Sequence, residues 1–168
     1  MLAPSQALNR SFLHQTDESI PTEEVSRRLG FLIGNLGFVI ANKTMSELSE
    51  MLSISPIPFT ANWFIGLMNL RGNLIPVFDL YKLLDFEHAK VKKPMLVILG
   101  ENETAGAIVI HSLPTHLNFV KSEQLTHLPP LPAILQPYMN NGYDQNGQIW
   151  LQFDHLGFFQ YLASKLTT

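Results

Sequence analysis

Apolar positions along this chain fall in short runs broken by glycine, asparagine and proline. LGFLIGNLGFVIA places apolar runs at 31–33 and 38–41 around Gly34, Asn35 and Gly37, which predicts two strands and a tight turn. In KTMSELSEMLS, Thr44 and Glu47 have capping-box spacing, and Met45, Leu48, Met51 and Leu52 form a candidate buried stripe. That pattern fits a short helix or an irregular turn. Ser53 to Pro58 reads as an edge strand, because proline cannot donate to a ladder. TANWFIG predicts a helical turn ending at Gly66. Two extended runs follow, Leu67 to Leu70 and Leu74 to Phe78, joined through Arg71-Gly72-Asn73. Asp79 then opens a short amphipathic turn through Leu80, Leu83 and Leu84, and DFEHAKVKKP reads as a charged surface link.

MLVILG predicts a strand, ENET a turn and AGAIVIHSL a second strand. Pro114 to Asn141, with Pro129, Pro130, Pro132 and Pro137, reads as connecting structure with brief helical turns at most. Gln148 to Phe153 is a strand, and an apolar helix ends the chain. The polar first 28 residues read as a loose arm, with one helical turn from Thr22 to Arg28.

The two halves echo each other. Gly72 precedes Phe78-Asp79 by the same spacing as Gly147 precedes Phe153-Asp154, an offset of 75 residues. FLIGNLGFVI likewise resembles VILGENETAGAIVI as strand, polar turn, strand. Neither half has enough apolar strands to bury both faces of a flat sheet, and curling into a barrel removes the edges. The pattern predicts mostly antiparallel β structure in two small packed barrels, approximate halves 29–90 and 91–168, with short helical turns. The plainer account is that hairpins in any β protein place glycine and aspartate at turns.

Composition narrows the chemistry. The net charge of −3, from 11 Lys and Arg against 14 Asp and Glu, asks for no nucleic acid or anionic membrane. Phenylalanines stand in apolar runs without interleaved Lys or Arg, so stacking on bases is disfavoured. There is no cysteine, which excludes disulfides and thiolate ligands. The N-terminus lacks a signal-like apolar core, and no run approaches the roughly 18 apolar residues of a membrane span. A soluble cytoplasmic chain is expected, without direct membrane insertion. His14, His88, His111, His116, His127 and His155 are scattered, and no metal motif appears. GxSxG and a Walker motif are absent, and Gly30, Gly34 and Gly37 are better explained as hairpin glycines. Asp79 and Asp154 occupy matching places after a strand, where capping the next turn explains both better than acid–base catalysis. No enzyme, cofactor or metal is expected. Arg71 has two compatible readings: pinning loops where the barrels meet, or shaping a surface read by another protein.

IPFTANWFIGLMNLRGNLIPVFDLYKLL, from Ile57 to Leu84, resembles the signature region of the CheW-like family, scaffold proteins of bacterial chemosensory arrays. Pro58, Trp63, Gly66, Asn69, Leu70, Arg71, Gly72, Pro76, Val77, Asp79 and Leu80 match its ordered positions, and Glu47 stands where the family is frequently acidic. The resemblance extends over roughly Leu29 to Leu162. It implies an all-β fold of two packed five-stranded barrels with a C-terminal helix, and a non-catalytic adaptor that couples a methyl-accepting chemotaxis receptor to a CheA-like histidine kinase, at receptor arrays on the inner membrane. By position, the implied kinase contacts are Ile40, Ala41, Thr44, Glu47, Ser55, Ile57, Pro58 and Phe59. The implied receptor or junction contacts are Val39, Leu67, Leu70 and Arg71. Trp63, Gly66, Asn69, Gly72, Pro76 and Asp79 are the structural signature. The chain departs from the family at His111, which replaces an acid, in its proline-rich later connection, and at FVIANKT. Such drift resembles the adaptors of type IV pilus systems, which govern twitching motility. The alternative is a CheW-like binding module that scaffolds another signalling or pilus complex.

Overall fold

The run MLVIL forms a strand with no polar face, and that requirement shapes the molecule. The computed structural model describes residues 24–51, 53–87 and 93–167. Its strands are β1 (Val25–Ile33), β2 (Leu36–Ile40), β3 (Ser46–Glu50), β4 (Ile54–Ser55), β5 (Phe64–Leu70) and β6 (Asn73–Phe78). Helix α1 (Leu80–Leu83) follows, then β7 (Met95–Leu99), β8 (Gly106–Ile110), β9 (Thr115–Val120), β10 (Met139–Gln145), β11 (Gln148–Phe153) and helix α2 (His155–Ala163).

A five-stranded sheet has the order β10-β11-β2-β1-β9, and a six-stranded sheet the order β3-β7-β8-β6-β5-β4. Pairing is antiparallel except for β11 with β2 and β6 with β8, which are parallel. The first sheet joins strands from both ends of the chain, and the second is built from the stretch between them. The β1–β2 hairpin lies between β9 and the β10–β11 hairpin, while β7–β8 lies between β3 and the β5–β6 hairpin.

Side-chain alternation then feeds separate cores. Val97, Leu99, Ile108 and Ile110 join Phe31, Phe38, Phe78, Phe153 and Phe158 in a central cluster between the sheets. Their chain neighbours Leu96, Ile98, Ala107 and Val109 face the other way, into a second cluster with Met68, Ile75 and Val77. Val39, Leu117, Phe119 and Trp150 form a third. Strands buried on both faces explain why these runs are continuously apolar. Phe38 stacks on Phe31 at 5.3 Å and meets Phe153 edge-on at 5.1 Å, while Phe78 stacks on Phe159 of α2 at 5.5 Å. Each fully buried phenylalanine contributes about 1.5–3 kcal/mol of transfer free energy.

Several expectations are corrected. The sheets are mixed, and neither closes into a five-stranded barrel. The outer strands β9 and β10 of the first sheet share no ladder. They approach through the Gln124–Tyr143 bridge, a Gln145 Nε2 bond to the Asn118 carbonyl at 2.9 Å and a Phe119–Tyr143 stack at 4.2 Å. In the second sheet β4 has only two residues, and Pro56 and Pro58 cannot donate to extend it. The expected helix at KTMSELSEMLS is strand β3, paired over five residues with β7. Its supposed buried stripe is exposed at Met45, Leu48 and Met51, and Leu52 lies outside the described residues. TANWFIG turns only at Asn62–Trp63, and β5 begins at Phe64 with a bulge before Gly66. The connection after Pro114 contains β9, and β10 already begins at Met139. Val25 to Arg28 are strand, not a helical turn; the rest of the expected arm, residues 1–23, lies outside the described residues.

Gly66 is a tight point in this arrangement. Its φ is +146°, and an added Cβ would meet the Ser55 carbonyl oxygen at 2.3 Å. Gly66→Ala should therefore cost about 1–3 kcal/mol. Urea denaturation should show the loss, and amide exchange should quicken in β4 and β5 before the β7–β8 pair.

Candidate functional site

The stretch NLRGNLIPVFDL builds a hairpin, a strand and a cap in succession. Leu70 pairs with Asn73, so Arg71 and Gly72 alone form the turn. Their φ values of 50° and 88° make both residues left-handed, as a two-residue primed turn requires. The Asn69 side chain accepts from the Gly72 amide at 2.9 Å. The later copy uses the same device: Asn146 and Gly147 have φ of 54° and 84°, and Asp144 accepts from the Gly147 amide at 3.1 Å. Asp79 then caps α1 by accepting from the Lys82 amide at 3.2 Å, and Asp154 caps α2 from Gly157 at 3.2 Å. Each interaction recurs after 75 residues. The capping reading of both aspartates holds.

Arg71 is the departure between the copies. An arginine stands where the second turn has asparagine, a better left-handed residue. Its guanidinium fork grips Glu47 of β3, with Nη2 to Oε2 at 2.7 Å and Nη1 to Oε1 at 3.3 Å. The hydrogen bond from Arg71 holds the Glu47 carboxyl below its ordinary range. The pair joins the tip of β5–β6 to edge strand β3, which the sheet order separates by β7 and β8.

The other signature residues are structural. Trp63 packs on Phe78 at 6.1 Å, Gly66 backs onto Ser55, and Pro76 lies opposite Leu67. The candidate contact residues separate. Val39 and Ile40 are buried, packing into the third and the central clusters, and Ile40 also borders the cleft described below. Leu67 and Leu70 are half-buried, while Ala41, Thr44 and Glu47 lie by the turn into β3. Ser55, Ile57, Pro58 and Phe59 form an exposed strip beyond the opposite edge strand, β4. Phe59 is 92% exposed and has φ of 62°.

A groove does lie between the sheets, but its lining differs from the expected junction residues Val39, Leu67, Leu70 and Arg71. An open cleft of about 880 Å³ lies between β1, β9 and the β2–β3 turn, lined by Arg27, Arg28, Ile40, Lys43 and His116 among others. Through shared Leu29, Ser46 and His116 it runs into an apolar pocket of about 310 Å³, walled by Leu48, Val97, Leu113 and Pro114. Leu48 and Leu113 are 43% and 62% exposed. This groove joins the two sheets, since β1 and β9 belong to one and β3 and β7 to the other. Among the described residues no group of three or more His, Asp or Glu gathers to hold a metal, and no helix is long and apolar enough to cross a membrane.

A model of the CheW-like domain matches residues 27–162. The chain belongs to the CheW-like domain family. As a CheW-like domain it is a non-catalytic scaffold module of a signalling system, of the kind that partners chemoreceptors and kinases. It is 27% identical over 126 residues to Protein PilI of Pseudomonas aeruginosa, covering 74% of this chain and 70% of that one. It is also 27% identical over 123 residues to Chemotaxis protein CheW of Helicobacter pylori, covering 72% of each. The fold is similar to that of the scaffolding protein TtCheW from Thermoanaerobacter tengcongensis, with a TM-score of 0.63 at 17% identity, over 82% of this chain and 88% of that one.

Arg71→Asn separates turn from ion pair in this CheW-like domain. It should keep the hairpin, since Asn146 serves the same turn, while releasing Glu47. Carboxyl titration by NMR should show the Glu47 midpoint rise toward its ordinary value of 4.5. Because the folded value is depressed, the pair's contribution is present above the unfolded value and lost as pH falls through the folded one. The acid limb of the stability profile should flatten correspondingly in the variant.

Proposed function

We propose that this CheW-like domain is a cytoplasmic adaptor that couples a chemoreceptor to a CheA-like histidine kinase, at receptor arrays on the inner membrane, in a pilus-type chemosensory pathway. The observation that carries the reading is the presence of two separate exposed surfaces, the groove between the sheets and the strip beyond β4. The groove between the sheets is the receptor site, where a helical receptor tip buries apolar side chains against Leu48 and Leu113. The strip from Ser55 to Phe59 is the kinase site, and exposed Phe59 fits the aromatic anchors of protein interfaces. Departures at His111 and in the proline-rich connection support the pilus-type assignment, as does similarity to PilI. Identity to a chemotaxis CheW is equal, so the choice of pathway is read from partner preference.

Binding measurements with each purified partner test the assignment. Leu113→Asp should weaken receptor binding at least about tenfold and leave kinase binding within about twofold, with Phe59→Ser showing the reverse. Equal loss of both partners in either variant would sink the two-surface reading. Tighter binding to flagellar than to pilus-type partners would overturn the pathway.

A further inference from the structure

We infer that the groove between the sheets selects an acidic peptide segment, whose carboxylate meets Arg28 while its apolar side chains occupy the far end. The inference rests on the receptor-docking reading of the groove and adds the chemistry of what docks there.

Arg28 is the starting point. It is only 8% exposed, yet it forms no ion pair among the described residues. Its Nη2 and Nε donate to one neutral acceptor, the Ile40 carbonyl, at 3.0 and 3.4 Å. That bond satisfies donors but leaves a charge removed from water without a counter-charge, which is costly unless a partner supplies one. Arg28 is among the residues lining the larger, polar end of the groove.

Arg27 and Lys43 share its sign and line the same cleft beside His116, and among the described residues no aspartate or glutamate does. Among the described residues Glu47 is the one carboxylate lining the apolar end, and Arg71 already holds it. The chain as a whole carries −3, so this basic cleft runs against the bulk charge and is a local feature. At the other end Leu48, Val97, Leu113 and Pro114 offer apolar contact. One end therefore takes carboxylates and the other hydrocarbon, which fixes the direction in which an amphipathic segment lies.

Substituting Arg28 would disturb its bond to β2, so the test is read on exposed Arg27 and Lys43. The probes are the receptor's cytoplasmic tip hairpin and a peptide carrying six glutamates, each titrated at 50 and 300 mM salt. Wild-type affinity for the hairpin should fall about tenfold or more between these salts. Arg27→Gln with Lys43→Ala should weaken low-salt binding several-fold and flatten the salt dependence. Leu113→Ala should weaken binding and keep that dependence. Hairpin binding that ignores both salt and the double variant overturns the acidic-segment inference and leaves receptor docking standing. If the hairpin fails to bind while the glutamate peptide binds wild type but not the double variant, receptor docking falls and the acidic preference stands. Binding of neither probe overturns both.

Discussion

Three strands with hydrocarbon on both faces, β2, β7 and β8, govern everything else in this molecule. Each must be covered twice. A single flat sheet with one helix covers only one face, so the chain forms two sheets around a common aromatic cluster and curls each over a smaller cluster of its own. The interleaved order follows. A hairpin with two apolar faces is satisfied only when strands from elsewhere in the chain flank it, as β9 and β11 flank β1–β2. Docking surfaces are consequently confined to what this burial leaves free: the edge strands β3 and β4, their loops, and the groove where the sheets meet.

Repetition carries the second level of design. Two primed turns, two side-chain bonds to a turn glycine and two aspartate caps recur at one spacing, so the copies share a construction and not merely a composition. Their difference is then informative. Asn146 makes its turn easily; Arg71 makes the same turn at a conformational disadvantage and reaches Glu47. A disfavoured residue kept at a turn that asparagine would serve better points to a use outside the turn.

Some of this was legible in the residues. The β5–β6 and β7–β8 hairpins, β11 and both aspartate caps follow directly from apolar runs punctuated by Asn-x-x-Gly and closed by Phe-Asp. β3 was hidden because Thr44 and Glu47 mimic a capping box, while the stretch pairs with β7 and leaves Leu48 facing solvent. β9 was hidden by the prolines around it, Pro114 before and Pro129 to Pro137 after, although Leu117 and Phe119 alternate with His116 and Asn118 in a plain strand pattern. Closure was overestimated because a barrel needs a ladder at its seam, and side-chain contacts between β9 and β10 serve instead. The lining of the groove was not legible for a further reason. Arg28, Lys43, Leu48 and Leu113 come from separate segments, and their meeting depends on the interleaved sheets, which local pattern does not encode. Val39 and Ile40 were placed correctly on a strand, but a short apolar run does not show that both faces of β2 are covered.

The Glu47–Arg71 pair lies between the two proposed surfaces. Glu47 borders the groove, and Arg71 tips the hairpin whose β5 pairs with β4, the strand leading into the exposed strip. Its strength is limited, since Arg71 is 70% and Glu47 40% exposed, and water and salt screen such pairs. It does not hold the sheets together; the aromatic core does that. What a bidentate fork supplies is direction, fixing the hairpin tip against β3 to within the geometry of two parallel hydrogen bonds. For a protein that performs no chemistry, position is the product. A weak but geometrically exact tie between the borders of two docking surfaces is therefore a reasonable use for the one arginine that the turn itself does not want.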